Sequence, residues 1–203
     1  MTGILRKRQV RCLRKDKGFS VTVVDSLDIF DEYENIKDFD LFVPCWTMGE
    51  ISGTQCNNIL KAVENGAGMA GCHGGMCDSF RENTNWQFLT GAQWVAHPGN
   101  DKITYTVNIT EKNELTEGIN DFSVTSEQYY IHVDPAVKVC ATTTFPIADG
   151  PHASNGEVKM PVVFTKMWGK GRVYYNSLGH TYQIFDIPEA KELMRRGFLW
   201  ATR

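Results

Sequence analysis

A chain of 203 residues, 42% hydrophobic and 22% charged, can bury a substantial core and reads as a single domain over residues 1–203. Its formal net charge of −3 gives no electrostatic reason to expect nucleic acid or an anionic membrane surface as a partner. No apolar stretch approaches the ~20 residues needed to cross a bilayer, which leaves small molecules and proteins as partners and leaves a homo-oligomer open.

The first 17 residues carry seven Lys or Arg with no apolar block behind them, so the h-region of a secretory signal is missing and the chain as written is expected in the cytoplasm. Six cysteines are too sparse for a disulfide scaffold, and reduced thiols are expected. Residues 4–17 read as a basic helix with Leu5, Val10 and Leu13 loosely on one face. Phe19 to Val24 reads as a strand from its β-branched content. Asp40 to Pro44 reads as a second, buried strand, with Cys45-Trp46-Thr47 opening the loop after it. Thr54 is the expected N-cap of a helix to about Asn65, with Ile59, Leu60 and Val63 as its stripe and Gly66 as its stop.

The apolar run Ala67 to Ala70 then breaks on Gly71-Cys72-His73-Gly74-Gly75, which reads as a buried strand feeding a tight turn. In a parallel sheet such a turn lies at the carboxyl edge, where ligands bind. Flanking glycines would hold its middle residue out on a sharp corner, the geometry of a nucleophile elbow, with imidazole as the side chain. Strand, helix and strand at this short spacing indicate a parallel α/β sheet.

Asp78 to Gly99, rich in Trp, Phe, Asn and Gly, reads as long ordered loops with a helical turn. Ile103, Tyr105, Val107 and Ile109 alternate with polar residues as in a half-buried strand. Val137 to Ala141 is another strand, and Asp149 to Gly156 a turn-rich surface segment. Pro161 to Trp168 and Arg172 to Leu178 flank Gly169-Lys170-Gly171 as a hairpin. Pro188 suits the first turn of a helix with Ala190, Leu193, Met194 and Phe198 on one face.

Several of these pieces, in their order and spacing, resemble the ThuA-like (trehalose utilisation) family over about residues 19–201. They are Phe19-Ser-Val-Thr-Val, Gly71-Cys-His73-Gly-Gly with Asp78 and Trp86, Gly91-Ala-Gln-Trp-Val-Ala-His97-Pro98, Glu127-Gln-Tyr129, Pro161-Val-Val, and Gly169-Lys-Gly171-Arg172 through Leu178-Gly179-His180. The resemblance implies a class I glutamine amidotransferase-like fold, a flavodoxin-like parallel sheet flanked by helices, and a link to trehalose and related disaccharides. Amidotransferases of that fold place cysteine at the elbow. Here the position matches His73, and imidazole is a poor substitute for a thiolate attacking an amide, so no glutaminase activity is expected. The usual first strand is expected to be missing ahead of Phe19; a reading frame that starts late would explain this and would leave localisation open.

The resemblance places His180 near the amidotransferases' catalytic histidine, facing one cleft with His73. Two neutral imidazoles and a carboxylate, Glu127 or Asp78, would suit zinc or a similar divalent cation with a position left for water. They would equally suit proton transfer at a sugar hydroxyl or keto carbon. The expected catalytic residues are therefore His73, His180 and Glu127, with His73 and His180 as metal ligands if a metal is used. The expected substrate-binding residues are Trp46, Asp78, Trp86, His97 and Tyr129. Trp46, Trp86 and Trp94 would offer a face for a pyranose ring or belong to the core with equal weight. Cys72 and Cys77 read as small buried hydrophobes, His132 and His152 as surface residues, and Arg172 as no more than a hairpin cap. Two readings stay open: a protein acting on a carbohydrate or keto-sugar, and a non-catalytic sugar-binding or scaffold module or inactive truncated relative.

Overall fold

The computed structural model of the protein describes residues 18–145 and 150–203. The helix expected over residues 4–17, Cys12 and the expectation about a first strand lie outside the described residues. Nine strands are present among the described residues: β1 Leu41–Phe42, β2 Gly68–Cys72, β3 Ala92–Ala96, β4 Ile103–Ile109, β5 Phe122–Ser126, β6 Tyr130–Val133, β7 Lys138–Phe145, β8 Val158–Trp168 and β9 Gly171–Asn176. The helices are α1 Gly53–Glu64, α2 Gly74–Cys77, α3 Thr84–Thr90 and α4 Pro188–Ala201.

Seven strands form one sheet in the order β1-β2-β9-β8-β7-β4-β5, and β3 pairs with β6 in a separate ribbon. The class is α/β, as expected. The parallel part is the trio β1, β2 and β9; from β9 onward each pairing is antiparallel, beginning with the hairpin read at Gly169.

β2, the middle strand of the parallel trio, is buried at all five positions because strands flank it and a helical layer covers each face. Ala70 and Cys72 join Tyr174 and Leu178 under α4, whose Ala190, Leu193, Met194 and Phe198 are all buried. Met69 points the other way, with Val173, Tyr175 and Phe164, towards Ile59 and Val63 of α1 and Trp86 and Leu89 of α3. Strands buried on both faces carry continuous apolar runs rather than alternation, which is why Ala67 to Ala70 is legible as a strand.

Three local expectations need correction. Phe19 to Val24 forms no strand; it lines a groove of about 490 Å³ opposite Leu41 to Cys45, and Val23 and Val24 are exposed. β-branched content supplies propensity but not a ladder partner. The cap of α1 is Ser52 rather than Thr54: Ser52 Oγ accepts from the Gln55 amide and Gln55 Oε1 from the Ser52 amide, both at 3.1 Å, a capping box that leaves Thr54 inside the first turn. Residues 78–99, read as loops with a helical turn, contain the helix α3, capped by Asn83 through the Trp86 amide at 2.9 Å, but also the strand β3, which was not expected.

Gly197 sits where α4 crosses Tyr174, whose hydroxyl donates to the Leu193 carbonyl at 2.8 Å. A Cβ on Gly197 would lie 2.2 Å from the Tyr174 ring. Helix propensity alone favours alanine there by about 1 kcal/mol. Overpacking against a buried ring costs about 1–3 kcal/mol and outweighs it, so Gly197→Ala is expected to lower the denaturation midpoint; an unchanged or higher midpoint would show that the crossing yields.

Lys166 of β8 is 5% exposed in its side chain and pairs with Asp134 at 2.5 Å; its ammonium also donates to the Phe88 carbonyl and stands over the Phe88 ring. The bond from Lys166, then that from the Ala136 amide, holds the Asp134 carboxyl below the usual carboxylate range. A depressed carboxylate contributes stability above its unfolded pKa near 4 and loses it as pH falls further. Asp134→Asn, which strands a buried cation, is expected to cost on the order of 3 kcal/mol at pH 7, with the gap to wild type narrowing in denaturation curves below pH 4.

Candidate functional site

The site is built at the carboxyl rim of the three parallel strands. β2 ends at Cys72, and the next residue, His73, takes φ 52° and ψ −149° before α2 begins. A side chain in that left-handed region costs on the order of 1–3 kcal/mol and persists only where the surroundings enforce it. Here β9 and α2 enforce it. The His73 amide donates to the Asn176 carbonyl at 2.8 Å, and the His73 carbonyl accepts from the Met76 and Cys77 amides at 3.3 Å and from the Tyr175 hydroxyl at 3.3 Å. The elbow read from the glycine spacing is present, with imidazole on it; Cys72 is fully buried one residue earlier.

Glu127 comes from the β5–β6 connection. That connection is pinned on both sides: the Tyr105 hydroxyl donates to the Glu127 carbonyl at 3.0 Å, and the Gln128 amide donates to Thr143 Oγ1 at 2.8 Å and the Thr144 carbonyl at 3.0 Å. His180 follows β9 after Gly179, whose φ of +122° requires glycine and places its backbone against Cys72 Sγ and Phe185. His97 follows β3 ahead of Pro98, as expected.

These three loops converge on the elbow. Glu127 Oε2 lies 3.1 Å from His73 Nε2 and 3.2 Å from His180 Nδ1, and Glu127 Oε1 lies 3.7 Å from His97 Nε2. The His73 and His180 rings are 5.5 Å apart. Tyr129 Oη is 3.0 Å from His73 Nδ1, and its ring stacks with His97 at 6.2 Å. Only the His180 and His97 side chains, 34% and 30% exposed, reach solvent to any extent.

Burial pushes the His73 imidazole below its ordinary pKa, against the pull of Glu127, and the neighbouring histidines push the same way. Burial pushes Glu127 up, but the three imidazoles outweigh it and hold its carboxyl below the usual range. Burial, then Glu127, pushes the Tyr129 phenol far up. The resting state at neutral pH is a neutral His73, an ionised Glu127 and a protonated Tyr129.

Of the eight residues singled out in the sequence, five meet here: His73, His180, Glu127, His97 and Tyr129. Asp78 is 4% exposed and engaged by Arg81 through Nε on one carboxylate oxygen and Nη2 on the other at 3.0 Å. It holds Arg81 rather than facing the cleft as a second carboxylate. Trp86 is 3% exposed, donates Nε1 to the Met76 carbonyl at 2.9 Å and packs edge-on against Phe80, so it supports the elbow from the core and offers no face for a sugar. Trp46 is partly buried, lines the groove beside Phe19 to Val24, and accompanies the elbow through its amide, which donates to Gly75 at 3.2 Å. His132 is exposed, as expected. His152 is half-buried against Tyr130 and Phe145, and Arg172 donates to the Thr202 carbonyl at 2.7 Å.

The sequence reading missed Arg81 and Thr47. The Arg81 guanidinium lies 4.3 Å over the Trp94 ring, and Trp94 in turn neighbours His97 and Tyr129. A signal for Arg81 existed in its closeness to Asp78, three residues earlier in the chain. Thr47 stands beside Gly74, where a Cβ would meet Tyr129 Oη at 3.1 Å and Thr47 Cγ2 at 3.4 Å. Thr47 Oγ1 and Trp94 Nε1 are buried without hydrogen-bond partners. His73 Nε2, Glu127 and His180 Nδ1 are the three groups that could hold a cation, with one ligand atom of each lying within 4.8 Å of the others.

The strain at the corner is measurable. Replacing His73 by Gly relieves the left-handed penalty that Ala retains, so His73→Gly is expected to be more stable than His73→Ala by about 1 kcal/mol in chemical denaturation. The reverse order would mean that the corner relaxes without glycine.

A family model described as ThuA, trehalose utilisation, matches residues 5–201. No curated protein matches. Among solved structures, the chain is similar to a putative ThuA-like protein from Bacteroides uniformis, at 18% identity and a TM-score of 0.76 over 97% of this chain and 84% of that one. A putative ThuA-like protein from Parabacteroides merdae is 15% identical with a TM-score of 0.72, covering 98% and 85% of the two chains. A protein of Salmonella typhimurium LT2 described as cytoplasmic is 12% identical with a TM-score of 0.70, covering 97% and 87%. At these identities the structural likeness speaks for the fold alone. Among the described residues no helix is long and apolar enough to cross a membrane. With the family model spanning nearly the whole sequence, the chain belongs to the ThuA trehalose utilisation family.

Proposed function

We propose that the protein binds a carbohydrate of the trehalose-disaccharide or keto-sugar type at the His73 rim and transforms it by proton transfer. The observation that carries this reading is the carboxylate of Glu127 set 3.1 and 3.2 Å from imidazoles of two other loops. A carboxylate in contact with an imidazole fixes its orientation and stabilises the imidazolium formed when it takes a proton. His180, the more exposed of the two, is the group that exchanges a proton with a sugar hydroxyl or with the carbon beside a keto group. Buried His73, held by Tyr129 at its far nitrogen and facing Glu127 through Nε2, keeps the carboxylate in position.

The surrounding wall suits a polyhydroxylated ring. The His97 side chain, 30% exposed, supplies a flat face beside the His180 imidazole. The elbow thiol on which glutamine hydrolysis depends is replaced by imidazole, which favours this reading over an amidotransferase.

The test is a panel of trehalose-type disaccharides and their keto derivatives, scored for binding by calorimetry and for turnover by product analysis. Saturable binding with product formation is expected, and His180→Ala should lower turnover by roughly 10²–10⁴-fold while leaving the thermal midpoint near wild type. Unchanged turnover in that variant would remove His180 from the chemistry. Binding without any product would instead make the protein a sugar-binding module.

A further inference from the structure

Glu127 Oε2 stands between two imidazole nitrogens, His73 Nε2 and His180 Nδ1. His73 Nε2 lies 3.1 Å from Glu127 Oε2, yet this buried nitrogen makes no hydrogen bond. One ligand atom each of His73, Glu127 and His180 lies within 4.8 Å of the others, so the three groups face one small volume.

We propose that His73 Nε2, Glu127 and His180 Nδ1 form a three-ligand site for one divalent first-row transition ion, zinc foremost. The spacing fits. Zinc bonds of about 2.0 Å to nitrogen and oxygen place neighbouring ligand atoms about 3.3 Å apart on a tetrahedron, and the two measured edges are 3.1 and 3.2 Å, with all three groups inside 4.8 Å. The donor set of two imidazoles and one carboxylate suits ions of the zinc type and leaves magnesium or calcium, which take mostly oxygen ligands, poorly served. Three protein ligands leave one tetrahedral position for a water or a substrate hydroxyl, the arrangement of catalytic rather than structural zinc.

Two outer features belong to the same design. The far nitrogen of His73 is engaged by Tyr129 Oη at 3.0 Å, as the second nitrogen of a metal-bound histidine commonly is, so that ring orientation is fixed before an ion arrives. The charge is also complementary: Asp78 is already matched by Arg81, and the side chains around the Glu127 carboxylate among the described residues are three imidazoles, neutral when they act as ligands. Two imidazoles and one carboxylate thus present a net −1 to a dication.

This inference rests on the same cleft as the carbohydrate reading but fails separately from it. The purified chain is stripped with a chelator, dialysed against zinc and assayed for metal by elemental analysis, and in parallel loaded with cobalt(II) for its visible spectrum. One zinc per chain and the intense d–d absorption of tetrahedral cobalt are expected. His180→Ala and Glu127→Gln should lose both, Tyr129→Phe should weaken zinc binding by roughly 10–100-fold, and exposed His132→Ala should leave the content unchanged. Folding of each variant is checked by circular dichroism, and Glu127→Gln, which keeps shape and volume, guards against a variant that fails to fold. Metal content below one-tenth equivalent in folded wild type, or content untouched by His180→Ala and Glu127→Gln, overturns the site. Sugar binding by wild type that takes up no zinc after dialysis would sink this inference alone, and zinc binding without any sugar binding would sink only the carbohydrate reading.

Discussion

The arrangement depends on one backbone hydrogen bond, from the amide of His73 to the carbonyl of Asn176. It extends the parallel β2–β9 ladder, which pairs Cys72 with Asn176, by one further bond into a residue that has already turned left-handed. The ladder holds the chain up to the corner, the α2 amides capture the His73 carbonyl beyond it, and the imidazole is held between Tyr129, Glu127 and His180. Because the other partner in that bond belongs to β9, the same contact sets where the chain leaves for Gly179 and His180. The two histidines are thus placed by one pairing of adjacent strands.

Glu127 reaches the rim from the antiparallel side of the molecule, and its position is set by polar contacts rather than packing. Tyr105 fixes its backbone and Gln128 fixes the next residue. A carboxylate only 10% exposed in its side chain is costly unless its charge is answered, and three imidazoles answer it. The site is therefore a meeting of the parallel trio, which supplies geometry, with the antiparallel extension, which supplies charge.

Much of this was legible from residue order. The glycines around His73 announce the corner because few other residues permit that turn. His180 follows from the hairpin at Gly169, whose strands leave little freedom in where the chain emerges. Glu127 had no such local mark and was singled out through the likeness to the ThuA family. The failures have physical causes as well. Trp86 and Trp94 are indistinguishable by composition, and only packing decides that the first supports α2 from beneath while the second carries Arg81. Asp78 looked like a free carboxylate because its partner lies on the following turn. Phe19 to Val24 has the composition of a strand, but composition cannot provide the neighbour a strand needs.

The sheet's two ends differ in a way that bears on how the protein behaves when concentrated. β1 is two residues long, too short to template an incoming chain, which is one of the means by which natural sheets blunt their margins. β5 closes the opposite end with five residues, whose outward Ser123 and Thr125 carry no charge to repel a neighbour. Intermolecular sheet growth, where it occurs, would start from that polar, uncharged margin at the far side of the molecule from β1.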